Sequence, residues 1–359
     1  MLMRYGNRSY YISAPKKDEK MLQVGILGVN GYAGAELIQI LLKHPRVQIA
    51  EMAARLDTPV PISSIFGQFK KRFDMECQVF HGVEGFGASC DLIFLALPHK
   101  VSMGIVPELL RAGKRVIDLS ADFRLMDAAV YAKWYHEEHT AATLLPEAVY
   151  GLPELYRDRI KDAGLIANPG CYPTTVILGC APLIKSGIVK PEIVVDSKSG
   201  ISGAGKKPSP TTHFVNRYEN FTAYNIGIHR HTPEMEQELS LLAGSEVRVM
   251  FSPHLIPINR GMLSTMYFDV LSEKKITQGE LSLLYQEFYQ DEPFVRILDE
   301  IPQTADVRET NYCDIWARLD ERTNKIVIVS TIDNLTKGAS GQAVQNMNIM
   351  YGWDETLGL

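Results

Sequence analysis

One cysteine of the sequence lies where its thiol could act as a nucleophile. The run NPGCYP at residues 168–173 forms a sharp turn, and the apolar stretch after it has helical spacing, with Pro173 in its first turn. Cys171 is therefore predicted at the N-terminus of a helix. The unpaired amides and the positive end of the helix dipole there favour thiolate over thiol. A buried structural cysteine is the alternative interpretation.

The other four cysteines have no such setting. Cys180 follows Cys171 by half a helical revolution, so it is expected in the core. Cys77, Cys90 and Cys313 are expected to be small buried or surface thiols. The cysteines are odd in number and show no paired short spacing of a zinc site, which favours a reduced protein of the cytoplasm.

Histidines and cations that could assist a thiol follow along the chain. His229 and His231, in the run HRH, are both candidates for proton transfer, and the residues alone do not distinguish them, since His231 precedes a plausible helix start. An HxH pair can also bind zinc, but no third ligand is evident. Arg124 comes shortly after a predicted strand, where a guanidinium could hold a carboxylate or phosphate in bidentate fashion. An ordinary salt bridge is the alternative for Arg124.

Two further segments could bind anions or amides. The loop SKSGISGAGKK at residues 197–207 combines small residues with cations, so its amides could form a nest around a phosphate. A mobile surface loop is the alternative. Asn334 follows a predicted strand and precedes the last predicted helix, a position where asparagine is often a cap.

A glycine-rich turn predicts a dinucleotide site. In GILGVNGYAGAE the glycines lie between a predicted strand at residues 22–29 and a predicted helix that stops at Pro45. This context allows a tight turn, close approach to a pyrophosphate and free amides at the helix start. The residues predicted to contact the cofactor here are Gly28, Asn30, Gly31, Tyr32, Ala33 and Gly34.

Arg55 bears on the choice of nucleotide. Glu51 has the spacing of the acidic residue that binds a ribose 2′-hydroxyl, but it falls inside a predicted strand. Arg55 stands at the strand end, where a cation suits a 2′-phosphate, so NADP is favoured over NAD. The alternative leaves Arg55 in a solvated loop and Glu51 on the ribose. Pro98 and His99, at another strand end, are predicted to line the cofactor.

The elements that must position these residues alternate in the first half of the chain. Nearly continuous apolar strands such as VQIAEMAA, CDLIFLALP and RVIDLS are separated by helical segments. This pattern predicts an α/β fold with a Rossmann-type doubly wound parallel sheet. After about residue 165, long β-rich segments predict an α+β catalytic domain, and residues 339–351 have helical spacing that suits a return to the first domain.

The predicted organisation is a disordered arm of residues 1–20, a nucleotide-binding domain of residues 21–167 and 335–359, and a catalytic and oligomerisation domain of residues 168–334. With 37 Lys and Arg against 42 Asp and Glu, the net charge of -5 disfavours nucleic acid as a partner. No apolar run approaches the roughly 20 residues that span a bilayer, so no membrane anchor is expected. Met21 is a candidate functional start.

Seven strings of the sequence resemble, in order, landmarks of the N-acetyl-gamma-glutamyl-phosphate reductase family: GVNGYAGAE, ALPH, DLSADFR, NPGCYPT, SGISGAG, HRHTPE and DNLTKGASGQAVQ. The resemblance covers roughly residues 21–357. It implies a fold of the semialdehyde dehydrogenase type. It also implies NADPH-dependent reduction of N-acetyl-glutamyl 5-phosphate to the semialdehyde through a thioester on Cys171, a step of arginine biosynthesis, in a homo-oligomer that is a dimer or tetramer.

The resemblance also implies residue roles. His229 matches the acid-base histidine of the family, and Asn334 would lie near the nicotinamide. The predicted substrate-binding residues are Arg124, Asn168, Ser199, Gly200, Tyr224, Arg230 and His231. Ser202, Gly203 and Asn334 are predicted to contact the cofactor.

One departure and three alternatives remain open from the sequence. Many relatives have serine beside the arginine after the second strand, whereas Ala53 and Ala54 precede Arg55 here, which weakens the case for NADP. Aspartate-semialdehyde dehydrogenases share the fold and chemistry, but their cysteine context usually differs from NPGCYP. Relatives that reduce carrier-linked acyl phosphates would use the same cysteine and histidine. An NADP-binding redox sensor would need neither Cys171 nor His229.

Overall fold

The computed structural model of the chain describes residues 2–5, 8–11 and 20–359. Strands β1 (Leu2–Tyr5) and β2 (Arg8–Tyr11) pair with each other as an antiparallel hairpin. Residues 1, 6–7 and 12–19 of the predicted disordered arm lie outside the described residues. Across the described ranges, no helix has both the length and the apolar character that crossing a bilayer requires.

The first half of the chain forms an eight-stranded sheet, ordered β5-β6-β4-β3-β7-β8-β10-β9. Its neighbouring strands are parallel except for the short β5–β6 pair. Its strands are β3 (Leu22–Leu27), β4 (Val47–Ala54), β5 (Val60–Pro61), β6 (Glu76–Val79), β7 (Leu92–Leu95), β8 (Arg115–Asp118), β9 (Val149–Tyr150) and β10 (Leu165–Ala167). The predicted doubly wound parallel sheet is confirmed.

The centre of this sheet is its topological switch point. The chain passes from β3 to β4 on one side, and β7 later joins β3 on the other side. Ligands of such sheets bind beyond the carboxyl ends of the strands at this point. The helices of this half are α1 (Tyr32–Leu41), α2 (Ile62–Ile65), α3 (Val106–Arg111), α4 (Ala128–Tyr135) and α5 (Pro153–Lys161). Strands β3 and β7 are almost wholly buried because helices cover both faces.

The second half forms a mixed seven-stranded sheet, ordered β12-β13-β11-β14-β17-β16-β15. Its strands are β11 (Glu192–Ser199), β12 (Thr222–Ala223), β13 (Arg248–Leu255), β14 (Met262–Asp269), β15 (Val295–Ile297), β16 (Cys313–Asp320) and β17 (Lys325–Ile332). Its helices are α6 (Cys171–Ser186), α7 (Phe214–Arg217), α8 (Thr232–Ala243) and α9 (Gln278–Phe288). This is the α+β architecture predicted for the second half.

The two faces of the second sheet differ in burial. Along β11 and β13 the residues alternate, so that Val195 and Phe251 pack against α6 and α8, whereas Val194 and Met250 are exposed. Tyr267 on β14 is exposed on the same open face as Val194, its partner in the β11–β14 register. This sheet therefore presents an apolar surface that residues 20–359 do not cover.

The last helix, α10 (Gly341–Met350), packs beside the first sheet. Its residues Ala343, Val344 and Met347 belong to the same core as β3 and α1. A short π-helical segment, Thr336–Ser340, precedes it. On this basis we retain as a proposal the division into residues 21–167 with 335–359 and residues 168–334.

Candidate active site

Cys171 is the first residue of α6, and no side chain caps this helix. Gly170 is the N-cap, with an extended backbone at φ -70° and ψ 153°. The turn follows directly on β10, whose end is fixed because the Asn168 amide donates to the Asp118 carbonyl at 2.8 Å. The predicted helix start is thus confirmed, and its first amides have no partner side chain.

Two side chains from elsewhere in the chain lie over this turn at Gly170. A Cβ added to Gly170 would lie 2.7 Å from Nε2 of His231 and 2.9 Å from Nη1 of Arg124. No side chain fits between them and the backbone. Glycine at this position therefore lets the imidazole of His231 and the guanidinium of Arg124 approach the residue before Cys171.

A buried carboxylate, Glu234, holds the turn in place. Its Oε1 accepts hydrogen bonds from the amide of Gly170 and the hydroxyl of Tyr150, both at 2.8 Å, and its Oε2 pairs with Nη1 of Arg124 at 3.3 Å. The side chains of Arg124 and Glu234 are 5% and 1% exposed. Removing one partner of such a pair is strongly destabilising, because the other charge is left buried. The sequence analysis missed Glu234.

Arg124 is bonded within the protein, which favours the salt-bridge alternative over the predicted substrate contact. Its Nε donates to the carbonyl of Asn168 at 2.8 Å, and its Nη2 donates to that of Leu119 at 2.9 Å. With the Glu234 pair, three of its five N–H groups are used. The other two N–H groups have little access to a ligand, because the side chain is only 5% exposed. We therefore assign Arg124 to positioning the Cys171 turn and to supplying positive charge near it.

The amides at the start of α6 favour the Cys171 thiolate, as predicted, but burial of the thiol has the larger effect on its pKa. Burial raises the pKa of Cys171 to about 11, although the amides of Tyr172 and Cys171 and the charge of Arg124 lower it. The helix start lowers the pKa of the thiol, as expected, but the removal of the thiolate from water raises this pKa by more. At neutral pH the sulfur of Cys171 is therefore held chiefly as the thiol.

This pKa predicts how alkylation of Cys171 depends on pH. Because the reactive thiolate is a small fraction below pH 11, the rate of carbamidomethylation by iodoacetamide should rise about tenfold per pH unit and still be rising between pH 9 and 10. Mass spectrometry of the Cys171 peptide measures the rate, with a free thiol of ordinary pKa near 8.5 as the reference. A plateau below pH 8 would contradict the raised pKa.

The two histidines beside the turn are both uncharged at neutral pH. Burial, with a smaller contribution from Arg230, lowers the pKa of His229 to about 4, and burial also lowers the pKa of His231 well below its usual range. The amide of His231 donates to Nδ1 of His229 at 3.1 Å. Neutral His229 then carries its proton on Nε2. Nδ1 of His231 is buried without a hydrogen-bond partner.

Aromatic rings enclose the histidines. The ring of Tyr172 lies edge-on to those of His229 and His231, at centroid distances of 5.6 and 6.0 Å. Tyr224 lies 5.6 Å from His229, and its hydroxyl donates to that of Tyr172 at 3.3 Å. The predicted neighbourhood of Cys171, His229, Tyr224 and His231 is thus brought together around α6.

Arg230 and His99 lie at the border of this cluster. The exposed guanidinium of Arg230 stands 5.5 Å from the ring centroid of Tyr135. His99, partly buried, accepts the Ala121 amide on Nδ1 at 3.0 Å. Burial lowers the pKa of His99 to about 3, with smaller contributions from Arg124 and Arg230. Arg230 is therefore the exposed cation beside the three histidines.

Asn168 and Asn334 are buried within the protein, which argues against the ligand contacts predicted for them. The amide nitrogen of Asn168 donates to the Ala339 carbonyl at 3.0 Å, and its oxygen accepts from Asn346 at 3.1 Å. Asn334 donates to the hydroxyl of Ser202 at 2.9 Å and accepts from the amide of Gly261 at 2.9 Å. Both side chains connect segments of the protein.

The loop predicted to cradle a phosphate uses its amides internally. It forms a 3₁₀ turn, Ile201–Ala204, packed on residues 256–261. Gly200, Ile201 and Ser202 donate their amides to carbonyls of that segment, and Gly203 donates to Gly200. The hydroxyl of Ser199 donates to the Gly200 carbonyl and that of Ser202 to the Asn259 carbonyl. The nest prediction is wrong for these residues, because the chain has already paired their donors.

The glycine turn has the geometry that a dinucleotide site requires. Gly28 has φ +95°, and a Cβ there would lie 2.3 Å from the Ala96 carbonyl oxygen. A Cβ on Gly34 would lie 2.7 Å from the Gly28 oxygen, so helix and strand pack closely. Gly31 caps α1 with no side-chain partner, and the first turn holds no acidic residue. These features leave amides and positive dipole at the switch point, as a pyrophosphate needs.

The remaining residues predicted at the cofactor differ in exposure. Asn30 and Ala33 are partly buried and Tyr32 is exposed on the turn, while Pro98 is exposed at the end of the β7 segment. Arg55 is exposed directly after β4.

Donors of the protein hold the carboxylate of Glu51, which argues against the alternative of a ribose contact. Its carboxylate accepts hydrogen bonds from the amide of Gly87 at 2.7 Å, and from the amide and hydroxyl of Ser89 at 3.2 and 2.5 Å.

The four cysteines other than Cys171 are free and buried, as expected.

Family models match most of the chain. The model described as semialdehyde dehydrogenase, NAD binding domain, matches residues 23–163, and the model described as semialdehyde dehydrogenase, dimerisation domain, matches residues 171–334. The glycine turn lies in the first match, and Cys171 begins the second.

Solved structures show the same fold at low sequence identity. The chain is similar to aspartate semialdehyde dehydrogenase II from Vibrio cholerae, complexed with ASA, with a TM-score of 0.69 and 16% identity over 93% of this chain and 99% of that one. It is also similar to aspartate semialdehyde dehydrogenase with NADP from Candida albicans, with a TM-score of 0.65 and 16% identity over 92% and 99%. Identity this low supports the fold alone.

Curated relatives are far more similar. N-acetyl-gamma-glutamyl-phosphate reductases of Geobacter sp. (strain M21) and Desulfotalea psychrophila (strain LSv54 / DSM 12343) are each 50% identical to the chain over 343 residues. That of Desulforudis audaxviator (strain MP104C) is 48% identical over 344 residues, and each of the three alignments covers 94% of this chain and 98% of the relative. Because relatives aligned over nearly their whole length share about half of its residues, the chain belongs to the N-acetyl-gamma-glutamyl-phosphate reductase family.

Proposed function

We propose that the chain reduces N-acetyl-glutamyl 5-phosphate to N-acetyl-glutamate 5-semialdehyde with NADPH, through a thioester on Cys171, in arginine biosynthesis. The observation that carries this proposal is Cys171 at an uncapped helix N-terminus, beside two uncharged histidines. The names of relatives about 50% identical to the chain supply the substrate.

In the first step the Cys171 sulfur attacks the acyl carbon and the bond from that carbon to the phosphate oxygen breaks. The thioester and inorganic phosphate form, and the thiol proton leaves with the phosphate. The free amides at the start of α6 and the charge of Arg124 stabilise the sulfur as it loses its proton. Glu234 keeps the turn in register through Gly170.

His229 is best suited to stabilise the oxygen of the reacting carbonyl. The sequence predicted an acid-base role for this residue. The backbone amide of His231, however, donates a hydrogen bond to Nδ1 of His229, so the ring proton is on Nε2 and that nitrogen acts as a donor. To accept a proton at Nε2, the ring would have to give up that amide bond. A neutral imidazole that donates from Nε2 stabilises the negative charge that develops on the carbonyl oxygen in both steps.

In the second step the thioester carbonyl is reduced. When bound, NADPH supplies the hydride for this carbon. Collapse of the resulting alkoxide breaks the C–S bond and releases the semialdehyde, and the Cys171 thiolate takes up one proton. The amides at the glycine turn and the start of α1 would hold the pyrophosphate of the cofactor.

Arg230 and Tyr224 are the substrate-side residues that we favour. The guanidinium of Arg230 is exposed at the border of the histidine cluster, where it could pair with the substrate carboxylate. The hydroxyl of Tyr224 already belongs to the hydrogen-bonded pair with Tyr172. His231 packs on Gly170 and serves chiefly to shape the turn.

Arg55 supports NADP as the cofactor, since it is exposed at the end of β4 while Glu51 is held by Gly87 and Ser89. Arg55→Ala should weaken NADPH binding about fivefold, the roughly 1 kcal/mol that an exposed charge pair contributes, and NADH binding less than about twofold. Fluorescence titration with both cofactors measures this.

The matched control for this prediction is Arg111→Ala. Arg111 is an exposed arginine that ends α3, away from the strand ends of the switch point, so its loss should change neither affinity. Equal weakening of NADPH and NADH by Arg55→Ala would remove the argument for a 2′-phosphate contact.

We also propose a homo-oligomer, a dimer or tetramer, that joins through the open face of the second sheet. Val194, Met250 and Tyr267 form an exposed apolar surface there, and the model that matches this half is described as a dimerisation domain. All five cysteines are free, which suits a reducing compartment such as the cytoplasm.

A phosphate burst tests the thioester. The chain mixed with N-acetyl-glutamyl 5-phosphate and no NADPH should release one equivalent of phosphate per site and acquire the acyl mass on the Cys171 peptide. Phosphate release that occurs only with NADPH, or an acyl group on another residue, would contradict the proposed mechanism.

A further inference from the structure

A buried ion pair network connects the helix of the glycine turn to the catalytic half. Arg260, in the loop between β13 and β14, donates from Nε and Nη2 to Asp333 at 2.9 and 3.1 Å and from Nη1 to Glu36 at 3.0 Å. Glu36 lies on α1, and Asp333 directly follows β17. The side chains of Arg260 and Glu36 are 11% exposed and that of Asp333 is fully buried.

The same network reaches Cys171 through the π-helical segment. The carbonyl of Asp333 accepts the amide of Gly338 at 2.9 Å. Gly338 packs directly on the cysteine, since a Cβ added to it would lie 2.8 Å from the Cβ of Cys171. Ser340, at the end of this segment, donates to the Ala33 carbonyl of α1 at 2.8 Å. Residues 333–340 therefore contact both α1 and the catalytic cysteine.

The contacts leave this segment little freedom. The Asp333 carboxylate also accepts the amides of Glu309, Leu335 and Thr336, at 2.8 to 3.1 Å. Buried charged groups with several short hydrogen bonds are costly to separate, so they fix the relative position of the elements that carry them. None of these residues has a part in forming or breaking the thioester.

We propose that Glu36, Arg260 and Asp333 are positioning residues that set the distance between the cofactor helix and the acyl group on Cys171. This proposal rests on the proposed function, because it assumes reduction of a thioester on that residue. Acylation depends on the Cys171 turn and its immediate neighbours. Hydride transfer depends in addition on where α1 holds the nucleotide. Loss of the network should therefore slow hydride transfer selectively.

Glu36→Ala separates the two steps. It removes the ion pair to α1 but keeps the Ser340–Ala33 hydrogen bond, and it leaves Arg260 paired with Asp333, so the catalytic half keeps its ion pair. The phosphate burst without NADPH should stay within about twofold of wild type. Reduction of the preformed thioester at saturating NADPH, followed in one turnover by stopped flow, should slow at least about tenfold, since misplacement by about 1 Å can cost about 100-fold.

Glu292→Ala is the matched control. Glu292 is 10% exposed and pairs with Arg157 at 2.5 Å, and its loss leaves Arg157 paired with Glu355. It has no link to α1, so both steps should keep their wild-type rates.

Ser340→Ala is a second test variant, which removes only the hydrogen bond to Ala33. It should slow hydride transfer selectively, as Glu36→Ala does, but by a smaller factor. If Glu36→Ala does not fold, Ser340→Ala tests the proposal in its place.

Equal slowing of burst and hydride transfer in these variants, or no slowing of either, would overturn the positioning role. Absence of a burst from the wild-type chain would be a different result, because it would contradict the thioester mechanism itself.

Discussion

Cys171→Ser is expected to lose at least about 10³-fold in turnover while it binds NADPH as tightly as the wild type. A serine hydroxyl at the start of α6 is a far weaker nucleophile than a thiolate, and loss of a covalent nucleophile removes the main pathway of reaction. The cofactor turn lies on a separate element and does not contain residue 171. NADPH oxidation with acyl phosphate and fluorescence titration measure the two effects.

Cys180→Ala is the control for this substitution. Cys180 lies on the same helix, fully buried, with its sulfur 3.5 Å from that of Met266. Its loss opens a small cavity in the core and leaves the helix start unchanged, so turnover should remain within about threefold of wild type, while the melting temperature falls. Turnover retained in Cys171→Ser would exclude the thioester on this residue.

His229→Ala should lower kcat about 10² to 10³-fold, the usual effect of removing one donor to a developing oxyanion. The comparison with His229→Gln separates the two roles considered for this residue. The side-chain amide of glutamine can donate a hydrogen bond but cannot carry a proton between groups at neutral pH. We expect His229→Gln to keep at least about tenfold more activity than His229→Ala. The reason is that the His231 amide bonds to Nδ1 of His229, so that the proposed role of this ring is to donate a hydrogen bond from Nε2.

Steady-state assays with both variants at pH 7 make this comparison. Equal losses in His229→Gln and His229→Ala would favour proton transfer by the imidazole and would contradict the assignment to the oxyanion. Tyr218→Phe, an exposed tyrosine beside α7, should behave as wild type in the same assay.

The sequence predicted best the longer elements, whose apolar pattern or start signal is local. β4 has the same bounds as the apolar run VQIAEMAA, and α6 begins at the cysteine where the turn and Pro173 suggested. Strands of two or three residues, such as β9 and β15, were not predicted, because so short a segment shows no periodicity. The π-helical segment before α10 was also unexpected.

The chemistry of Cys171 could be predicted only in part. The helix start is a local feature, so its amides and dipole follow from NPGCYP. The burial that raises the pKa of the thiol depends on segments distant in the sequence, such as Gly338, which packs on the cysteine. Glu234 was missed for the same reason, since its partners Gly170 and Arg124 precede it by 64 and 110 residues.

Polar loops showed where prediction from sequence is weakest. Small residues and cations in SGISGAGKK suggest a free anion nest, yet the amides of residues 200–203 are paired within the protein. Asn168 and Asn334 suggest ligand contacts, yet both bind other segments. A sequence shows which donors exist, but tertiary contacts decide which of them remain for a ligand.

The most direct test of the proposed function is phosphate-dependent reduction of NADP by the purified chain, with N-acetyl-glutamate semialdehyde and aspartate semialdehyde compared side by side. We expect NADPH to form with the acetylated compound, only when phosphate is present, and at a much higher kcat/KM than with aspartate semialdehyde. Activity with aspartate semialdehyde alone would contradict the proposed substrate, and binding of NADP without turnover of either compound would contradict the proposed reaction.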